Sequence, residues 1–409
     1  MSARAPGHIR PISPRRRIAA EFSLAVGGFG IGTGEFAIMG LLPDIAADLD
    51  LTAPEVGHLI SAYALGVVIG APLISVMAAR LPRRFLLIVL MAVFAAGNLA
   101  SALAPSYGSV MLFRFLSGMP HGAYFGVAAL VAASMAEPSR RGQAVGRVLL
   151  GLTVAVLIGN PLAVWLGQAS SWRAAFAAVS VIGLITALLL RGILPDAPAS
   201  RLNSPMRELS ALRMEQVWLT LGIGAIGFGG LFSVVSYIAP TLIEVSGVSP
   251  LWVPFALSFV GVGMIVGNVV GGWLADQALM PAIGVLLAWN VLVLALFPFA
   301  AGNPWTAMIG VLLIGSGVAI GPPLQIRLMD AAPQAQTLAA SLNHSAFNMA
   351  NALGAWLGGL AIAKGYGWTS TAWVGAALAL GGLSIFGLAL WRIRSQAAGK
   401  AAYMLKYHK

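Results

Sequence analysis

Two charged side chains stand deep inside long apolar stretches of the sequence, where a charge is costly. Glu35 lies in the stretch 18–42 and Arg114 in the stretch 108–132. At a helical rise of about 1.5 Å per residue, both lie about 10 Å from the same end of a helical bundle, so they can meet. A carboxylate in a low-dielectric site changes its charge as a guanidinium approaches or leaves, which predicts a proton switch. The alternative is a static ion pair, or a Glu35 hydrogen-bonded within the bundle.

His121 is a further candidate for proton coupling. It follows Arg114 by seven residues and therefore shares its helical face. A neutral imidazole can shuttle a proton or bind a hydroxyl group. A hydrogen bond to a neighbouring helix is the alternative.

A second polar stripe could contact a substrate. His344, Asn348 and Asn351 recur at the i, i+4, i+7 spacing of one helical face. Hydrogen bonding between helices remains an alternative for all three. Aromatic residues that could form a wall of the same site, or simply pack the bundle, are Phe36, Tyr63, Tyr124, Phe228, Phe232 and Tyr237.

The composition requires these residues to lie in a membrane. Of the 409 residues, 59% are hydrophobic and 9% are charged, against about 25% charged in soluble domains. A soluble enzyme, a nucleic-acid-binding protein and a disordered chain are excluded. The chain has no Cys, no phosphate-binding Gly-rich loop and no metal-ligand spacing, so we expect neither a metal nor a cofactor.

Twelve apolar segments are long enough to cross a bilayer as helices. They lie at 18–42, 56–78, 85–104, 108–132, 144–168, 174–194, 216–238, 251–273, 283–301, 305–326, 337–362 and 370–391. The sequence Gly321-Pro322-Pro323 is expected to break or kink the tenth, because neither proline can donate to the helical ladder. The predicted organisation is a basic arm (1–17), a six-helix bundle (18–194), a linker (195–214), a second six-helix bundle (215–391) and a tail (392–409).

The basic residues predict the orientation. With the N-terminus inside, 21 of the 24 Lys and Arg fall on the cytoplasmic side. Both termini are therefore expected in the cytoplasm, and the net charge of +11 reflects topology and not a nucleic-acid partner.

The two sets of six helices form a repeat. A shift of 197 residues aligns Pro43 with Pro240 and also aligns three pairs of glycines within corresponding spans. Because the paired spans run in the same direction, the repeat is parallel, and transporters with this symmetry bind substrate near the midplane between the halves.

Several motifs resemble the major facilitator superfamily, and within it the bacterial 12-helix drug:proton antiporters related to arabinose-efflux permeases and chloramphenicol exporters. They are GTGEF at 32–36, GLLPDIA at 40–46, RFLSGMPHG at 114–122 and GLTVA at 151–155. The residues Gly151, Gly159 and Pro161 are similar to the antiporter motif of the fifth helix, with Asn160 where a second Gly is common. The resemblance implies the twelve-helix fold, alternating access and coupling to a proton gradient.

The loop after the second span departs from the family pattern. Arg80, Arg83 and Arg84 are present, but Ala79 replaces the Asp of the family, while Asp276 is retained at the related position of the second half. The resemblance implies an inner gate that involves these three arginines and Asp276. The alternative is that the arginines only fix topology.

Together these observations predict a proton-coupled secondary transporter in a bacterial inner membrane, and not an enzyme. The resemblance to exporters implies export of a small neutral or weakly polar solute, such as chloramphenicol or arabinose. We expect a monomer, with protons and lipid as its other partners. The alternatives are an uptake permease, a uniporter, or a membrane sensor or assembly partner that does not transport.

Overall fold

The computed structural model describes residues 13–195 and 204–407, and the secondary structure of these ranges is helical. Residues 1–12 of the predicted arm, 196–203 of the predicted linker and 408–409 of the predicted tail lie outside the described residues. Of the helices described, eleven are long and apolar enough to cross a membrane.

One of these helices is two spans joined end to end. Val253–Ala300 contains 48 residues, and it is interrupted at Ala278, where φ is −162° and ψ is 92°. Pro281 lies just beyond and cannot donate to the carbonyl of Gln277, which weakens the ladder at this point. The described part of the chain therefore contains the twelve predicted spans.

We number the spans α1 to α12. The first half comprises α1 (Pro14–Gly40), α2 (Ala53–Met77), α3 (Arg83–Leu103), α4 (Tyr107–Met135), α5 (Pro138–Ala169, with a π turn at Ala155–Gly159) and α6 (Trp172–Ile193). The second half comprises α7 (Glu215–Val235, with a π turn at Ile223–Gly227), α8 (253–277), α9 (279–300), α10 (Pro304–Ala331), α11 (Gln336–Ala363) and α12 (Ser370–Tyr407). Short helices, Leu42–Leu49, Pro205–Leu209 and Ile238–Glu244, flank the spans. The observed ends lie within a few residues of the predicted ones, except that α12 continues to Tyr407.

Prolines explain two local changes of helix type. In α5 the π turn Ala155–Gly159 stands just before Pro161, whose nitrogen has no hydrogen to donate. In α10 the turn Ser316–Ile320 is a 3₁₀ helix, directly before Pro322 and Pro323. The tenth span thus changes helix type at the predicted position, although it continues as one helix from Pro304 to Ala331.

Each half is a six-helix bundle with its own apolar core, built for example around Phe94 in the first half and Leu287 in the second. The halves meet mainly where α4 and α2 contact α11 and where α5 contacts α8. Gly126 of α4 packs directly on Ser341 of α11, and a Cβ on this glycine would collide with the serine. Small residues thus allow backbone contact between the halves.

We call one end of the molecule the basic end and the other the opposite end. The basic end carries Arg80, Arg83, Arg84, Arg141 and Arg327. The opposite end carries the short helix Leu42–Leu49, whose Asp48 pairs with Arg173 at 3.1 Å.

Candidate functional site

A partly open cavity lies between the two halves. Eight of the ten residues predicted for proton coupling and substrate contact line it: Glu35, Phe36, His121, Phe228, Phe232, His344, Asn348 and Asn351. The remaining lining residues are Leu149, Leu152, Thr153, Met264, Asn268, Val318, Gly321 and Phe347. The wall is mainly aromatic and aliphatic, with amide, hydroxyl and imidazole groups and the carboxylate of Glu35. Among the described residues no group of acidic and histidine side chains could hold a metal ion.

Tyr124, predicted to contact substrate, is placed elsewhere. It is fully buried in the first bundle, and its hydroxyl donates to the carbonyl oxygen of Leu24 at 2.8 Å. It is not among the described residues that line the cavity. The predicted cavity position of Tyr124 is therefore corrected, because a backbone acceptor on α1 holds its ring inside the bundle.

Arg114 is fully buried behind the cavity wall. Its Nη1 donates to the carbonyl oxygen of Gly34 at 2.9 Å, and its guanidinium lies over the ring of Tyr63 at 4.3 Å and that of Phe176 at 5.3 Å. Its Nε and Nη2 are buried without a hydrogen-bond partner. Unpaired buried nitrogens are rare and call for a functional explanation.

Glu35 does not pair directly with Arg114 in this conformation. Its carboxylate lies 3.8 Å from Nδ1 of His121 and is 8% exposed as a residue, while the charge of Arg114 acts on it through space. The predicted direct pair is absent here, and the guanidinium instead contacts the Gly34 carbonyl and the Tyr63 ring. Side chains of α1 and α4 nevertheless meet at one depth, as expected, because Glu35 lies beside His121.

Two histidines join the halves at the cavity. Nε2 of His121, on α4, lies 3.3 Å from Nδ1 of His344, on α11. The hydroxyl of Tyr63 lies 3.2 Å from Nδ1 of His121, and the ring of Phe125 stacks on His344 with centroids 4.3 Å apart. Nε2 of His344 is buried without a partner. Glu35, His121 and His344 thus form a row of titratable groups that crosses from one half to the other.

The residues of the predicted antiporter motif hold α5 against α1. A Cβ on Gly151 would collide with the backbone of Ala25, and one on Gly159 would collide with Thr33. Pro161 stands directly after the π turn. Close packing of these two helices places Leu152 and Thr153 of α5 beside Glu35 in the cavity wall.

Below the cavity, toward the basic end, the halves are joined by polar contacts to backbone. The side-chain amide of Asn268 donates to the carbonyl of Gly146 at 2.6 Å. The carboxylate of Asp276 accepts from the amides of Gly142 at 2.5 Å and Gln143 at 2.9 Å, at the first turn of α5. A carboxylate at a helix N-terminus is stabilised by both the free amides and the helix dipole. Arg141 adds an ion pair with Asp330 at 3.1 Å.

The three arginines of the predicted gate lie apart from Asp276. Arg84 donates to the carbonyl of Arg191 at the end of α6, within its own half. Arg80 is exposed, and Arg83 lies close enough to Glu208 for their charges to interact. The structure therefore does not gather the four predicted gate residues into one cluster.

Comparison with known proteins identifies the family. The sequence profile described as Major Facilitator Superfamily matches residues 24–337. The chain belongs to the major facilitator superfamily. It is therefore a multi-pass membrane protein and a secondary transporter, and not an enzyme, as the sequence motifs indicated.

Individual members of the superfamily are similar over most of the chain. The inner membrane transport protein YdhP of Escherichia coli is 42% identical over 87% of this chain and 92% of its own length. The chloramphenicol resistance protein of Streptomyces lividans is 32% identical over 81% of this chain and 86% of its own length. The crystal structure of the superfamily transporter FucP superposes with a TM-score of 0.74 at 16% identity, covering 92% of this chain and 99% of FucP.

The internal repeat lacks one of two carboxylates at the basic end, and Glu208 of the linker makes the corresponding contact. The position related to Asp276 by the 197-residue repeat is Ala79, and the helix end related to the start of α5 is the start of α11. There the buried carboxylate of Glu208 accepts from the amide of Leu338 at 2.9 Å and from Thr337. Burial raises the pKa of Glu208 above the ordinary carboxyl range. Both halves thus have a carboxylate on a helix N-terminus at the basic end, one from the end of α8 and one from the linker.

Sequence reasoning missed one contributor to the site and gave another a different place. Glu208 lies in a polar linker that gave no periodic signal, although it is an isolated acid among arginines. Tyr63 was a candidate for the aromatic wall, and the structure instead places it between Arg114 and His121.

Proposed function

We propose that this superfamily member exports a small neutral or weakly polar solute in exchange for protons, by alternating access between its halves. The observation that carries the proposal is the carboxylate of Glu35 in the cavity wall, with His121 3.8 Å away and Arg114 buried behind it. A carboxylate inside a membrane is costly and is retained where its charge changes during a cycle.

The cavity wall favours an uncharged solute. Phe36, Phe228 and Phe232 offer apolar surface, and Asn348 and Asn351 offer hydrogen bonds without charge. Similarity to a chloramphenicol resistance protein supports drug export, so chloramphenicol is the first solute to test. The resemblance of the helix motifs to arabinose-efflux permeases makes arabinose the second.

Charge supports an orientation with the basic end in the cytoplasm of a bacterium, since basic residues are retained on that side of the inner membrane. The similarity to an inner membrane transport protein supports the same location. In this orientation the contacts of Asp276 and Glu208 close the cytoplasmic side, and the cavity is reached from outside. We propose that the transporter acts as a monomer.

Arg114 supports a role in the switch between conformations. Its Nε and Nη2 have no partner in this conformation, and Glu35 is the nearby carboxylate whose charge already acts on it. A small rotation of α1 against α4 brings the two together, which favours the ionised carboxylate and release of its proton.

The test is solute-dependent proton movement in proteoliposomes, with chloramphenicol and arabinose as solutes. Wild type, Glu35→Gln and the control Glu137→Gln are compared; Glu137 is an exposed carboxylate at the basic end. We expect one solute to drive proton movement in wild type and in the control. In Glu35→Gln this movement falls at least about tenfold, a change of about 1.4 kcal/mol in the barrier.

Other outcomes identify the alternatives. Solute transport without proton movement in any variant indicates a uniporter. Transport that accumulates solute inside cells indicates an uptake permease. If overproducing cells show unchanged chloramphenicol susceptibility and liposomes show no transport of either solute, export of these solutes is contradicted.

A further inference from the structure

We infer that Glu35, His121 and His344 form a proton relay. Proton uptake by the relay changes Nε2 of His344 from a hydrogen-bond acceptor to a donor, and the solute binds to this nitrogen in only one of the two states. The inference rests on the proposed function and explains how proton uptake is coupled to release of the solute. The relay spans both halves, because Glu35 and His121 belong to the first and His344 to the second.

The row of atoms fits a relay. Nε2 of His121 lies 3.3 Å from Nδ1 of His344, and Nδ1 of His121 lies 3.8 Å from the Glu35 carboxylate. A shift of about 1 Å in the Glu35 side chain brings the second pair to hydrogen-bond distance. Stacking of Phe125 on His344 at 4.3 Å with 13° between the rings fixes the plane of that imidazole.

The free end of the row is Nε2 of His344. It is buried and has no hydrogen-bond partner, although His344 lines the cavity. A buried polar nitrogen without a partner is destabilising, unless a group that is present only part of the time supplies the missing hydrogen bond. A polar group of the solute in the cavity is such a partner.

The tautomers of neutral imidazole determine what this nitrogen can do. While Glu35 is ionised, His121 carries its proton on Nδ1, toward the carboxylate. Its Nε2 then accepts from the N–H on Nδ1 of His344, which leaves Nε2 of His344 as a lone-pair acceptor. In this state the cavity binds a solute that presents a hydroxyl or amide N–H.

Uptake of one proton changes which atom is protonated in each of the three groups. The incoming proton binds Nε2 of His344, the proton on Nδ1 of His344 passes to Nε2 of His121, and the proton on Nδ1 of His121 passes to Glu35. Each imidazole ends neutral with one N–H, the carboxylate ends protonated, and one proton has been gained. Nε2 of His344 is now a donor that faces the solute's own donor, so protonation releases the solute, as exchange in opposite directions requires.

The charged and titratable groups around the relay are compatible with both states. The hydroxyl of Tyr63, on α2, lies 3.2 Å from Nδ1 of His121, and it can accept in the first state and donate in the second. The guanidinium of Arg114 lies over the Tyr63 ring and favours the ionised carboxylate of the first state. In the described part of α1, α2, α4 and α11, no other titratable group acts on either imidazole.

The experiment is nitrogen NMR of the full-length protein in lipid nanodiscs, with ¹⁵N-labelled histidine rings, over a pH series. Ring-nitrogen shifts distinguish N–H from lone-pair nitrogen, and His121→Gln and His344→Gln assign the signals. In wild type we expect acidification to move the N–H of His344 from Nδ1 to Nε2 without forming an imidazolium. Glu35→Gln abolishes the move. His58, which lies by the Tyr107 hydroxyl near the opposite end, is the internal control, and its ring-nitrogen signals should be the same in both proteins at each pH.

The wild-type series alone can overturn the relay, so the result does not depend on the folding of any variant. A His344 that keeps one tautomer throughout, or that becomes an imidazolium, contradicts it, and so does a move that persists in Glu35→Gln. If the tautomer moves but liposomes show no proton-coupled transport, the relay stands and the proposed function fails. If transport is coupled to protons and the tautomer of His344 does not change, the proposed function stands and the relay fails.

Discussion

Asp276 of the second half accepts a 2.5 Å hydrogen bond from the backbone nitrogen of Gly142 in the first half. The partner is the first turn of α5, so the contact depends on the position of a whole helix and not on one side chain. Opening of the basic end must separate this carboxylate from the helix N-terminus. The strength of the contact therefore contributes directly to the equilibrium between conformations.

Removing this carboxylate is expected to open the basic end. Asp276→Ala loses two hydrogen bonds from helix amides, which should shift the equilibrium by about 1–3 kcal/mol, or about 5- to 150-fold. The chain has no Cys, so spin labels at Ser139→Cys and Gln277→Cys report the distance across the basic end. Asp276→Asn keeps an acceptor oxygen and should shift the populations less. Identical distance distributions in Asp276→Ala and the parent protein would contradict a role in closure.

Glu208 is expected to make closure of the basic end dependent on pH. Burial raises the pKa of this carboxyl in the closed arrangement, and opening returns it toward its ordinary value. Closure therefore takes up protons. This contribution is fully present below the ordinary carboxyl pKa and is lost as pH rises through the raised pKa.

The same pair of spin labels measures this effect in a Glu35→Gln background, which removes the cavity carboxyl from the titration. Acidification should increase the closed fraction, and Glu208→Gln, which keeps an acceptor for the Leu338 amide, should weaken that dependence. A closed fraction that falls on acidification would show that the sign is wrong.

A methyl group at Gly142 is expected to hold the halves apart. A Cβ there would lie 2.8 Å from the Cβ of Ala275 and would also collide with the carbonyl of Gly272. Overpacking of this kind is destabilising by about 1–3 kcal/mol, here for the closed arrangement alone. Gly108→Ala is the matched control, because nothing lies within 4 Å of its added Cβ. Transport and label distances should change in Gly142→Ala and remain at wild-type values in the control; equal effects in both would contradict the argument.

The spans could be predicted because the bilayer imposes a length and a composition on each helix. The depth of Glu35 and Arg114 followed from helical rise alone, and the cavity wall indeed contains Glu35 beside His121 of α4. The partner of Arg114 could not be predicted in this way. A backbone carbonyl at Gly34 and the face of Tyr63 leave no trace in residue spacing, because any residue has a carbonyl and aromatic residues are common in spans.

Long-range contacts explain the other differences. His121 and His344 are 223 positions apart, and their contact depends on how the two bundles pack. The contact of Glu208 could not be predicted, because its partner at the start of α11 is distant in the sequence. The repeat did contain a clue, since Ala79 leaves one helix end without the acid that its counterpart has.

The π turn of α5 has a geometric consequence for the cavity. A π turn holds one residue more than an α turn, so the chain bulges sideways at Ala155–Gly159. Leu157, within this bulge, packs on Gly261 of α8, where even a Cβ on the glycine would come within 3.0 Å of the leucine. The extra residue of this turn, which stands just before Pro161, makes α5 protrude toward α8. Leu157 packs there against Gly261, which has no side chain to block it. The distance between α5 and α8 at this level is therefore limited by the contact between Leu157 and Gly261.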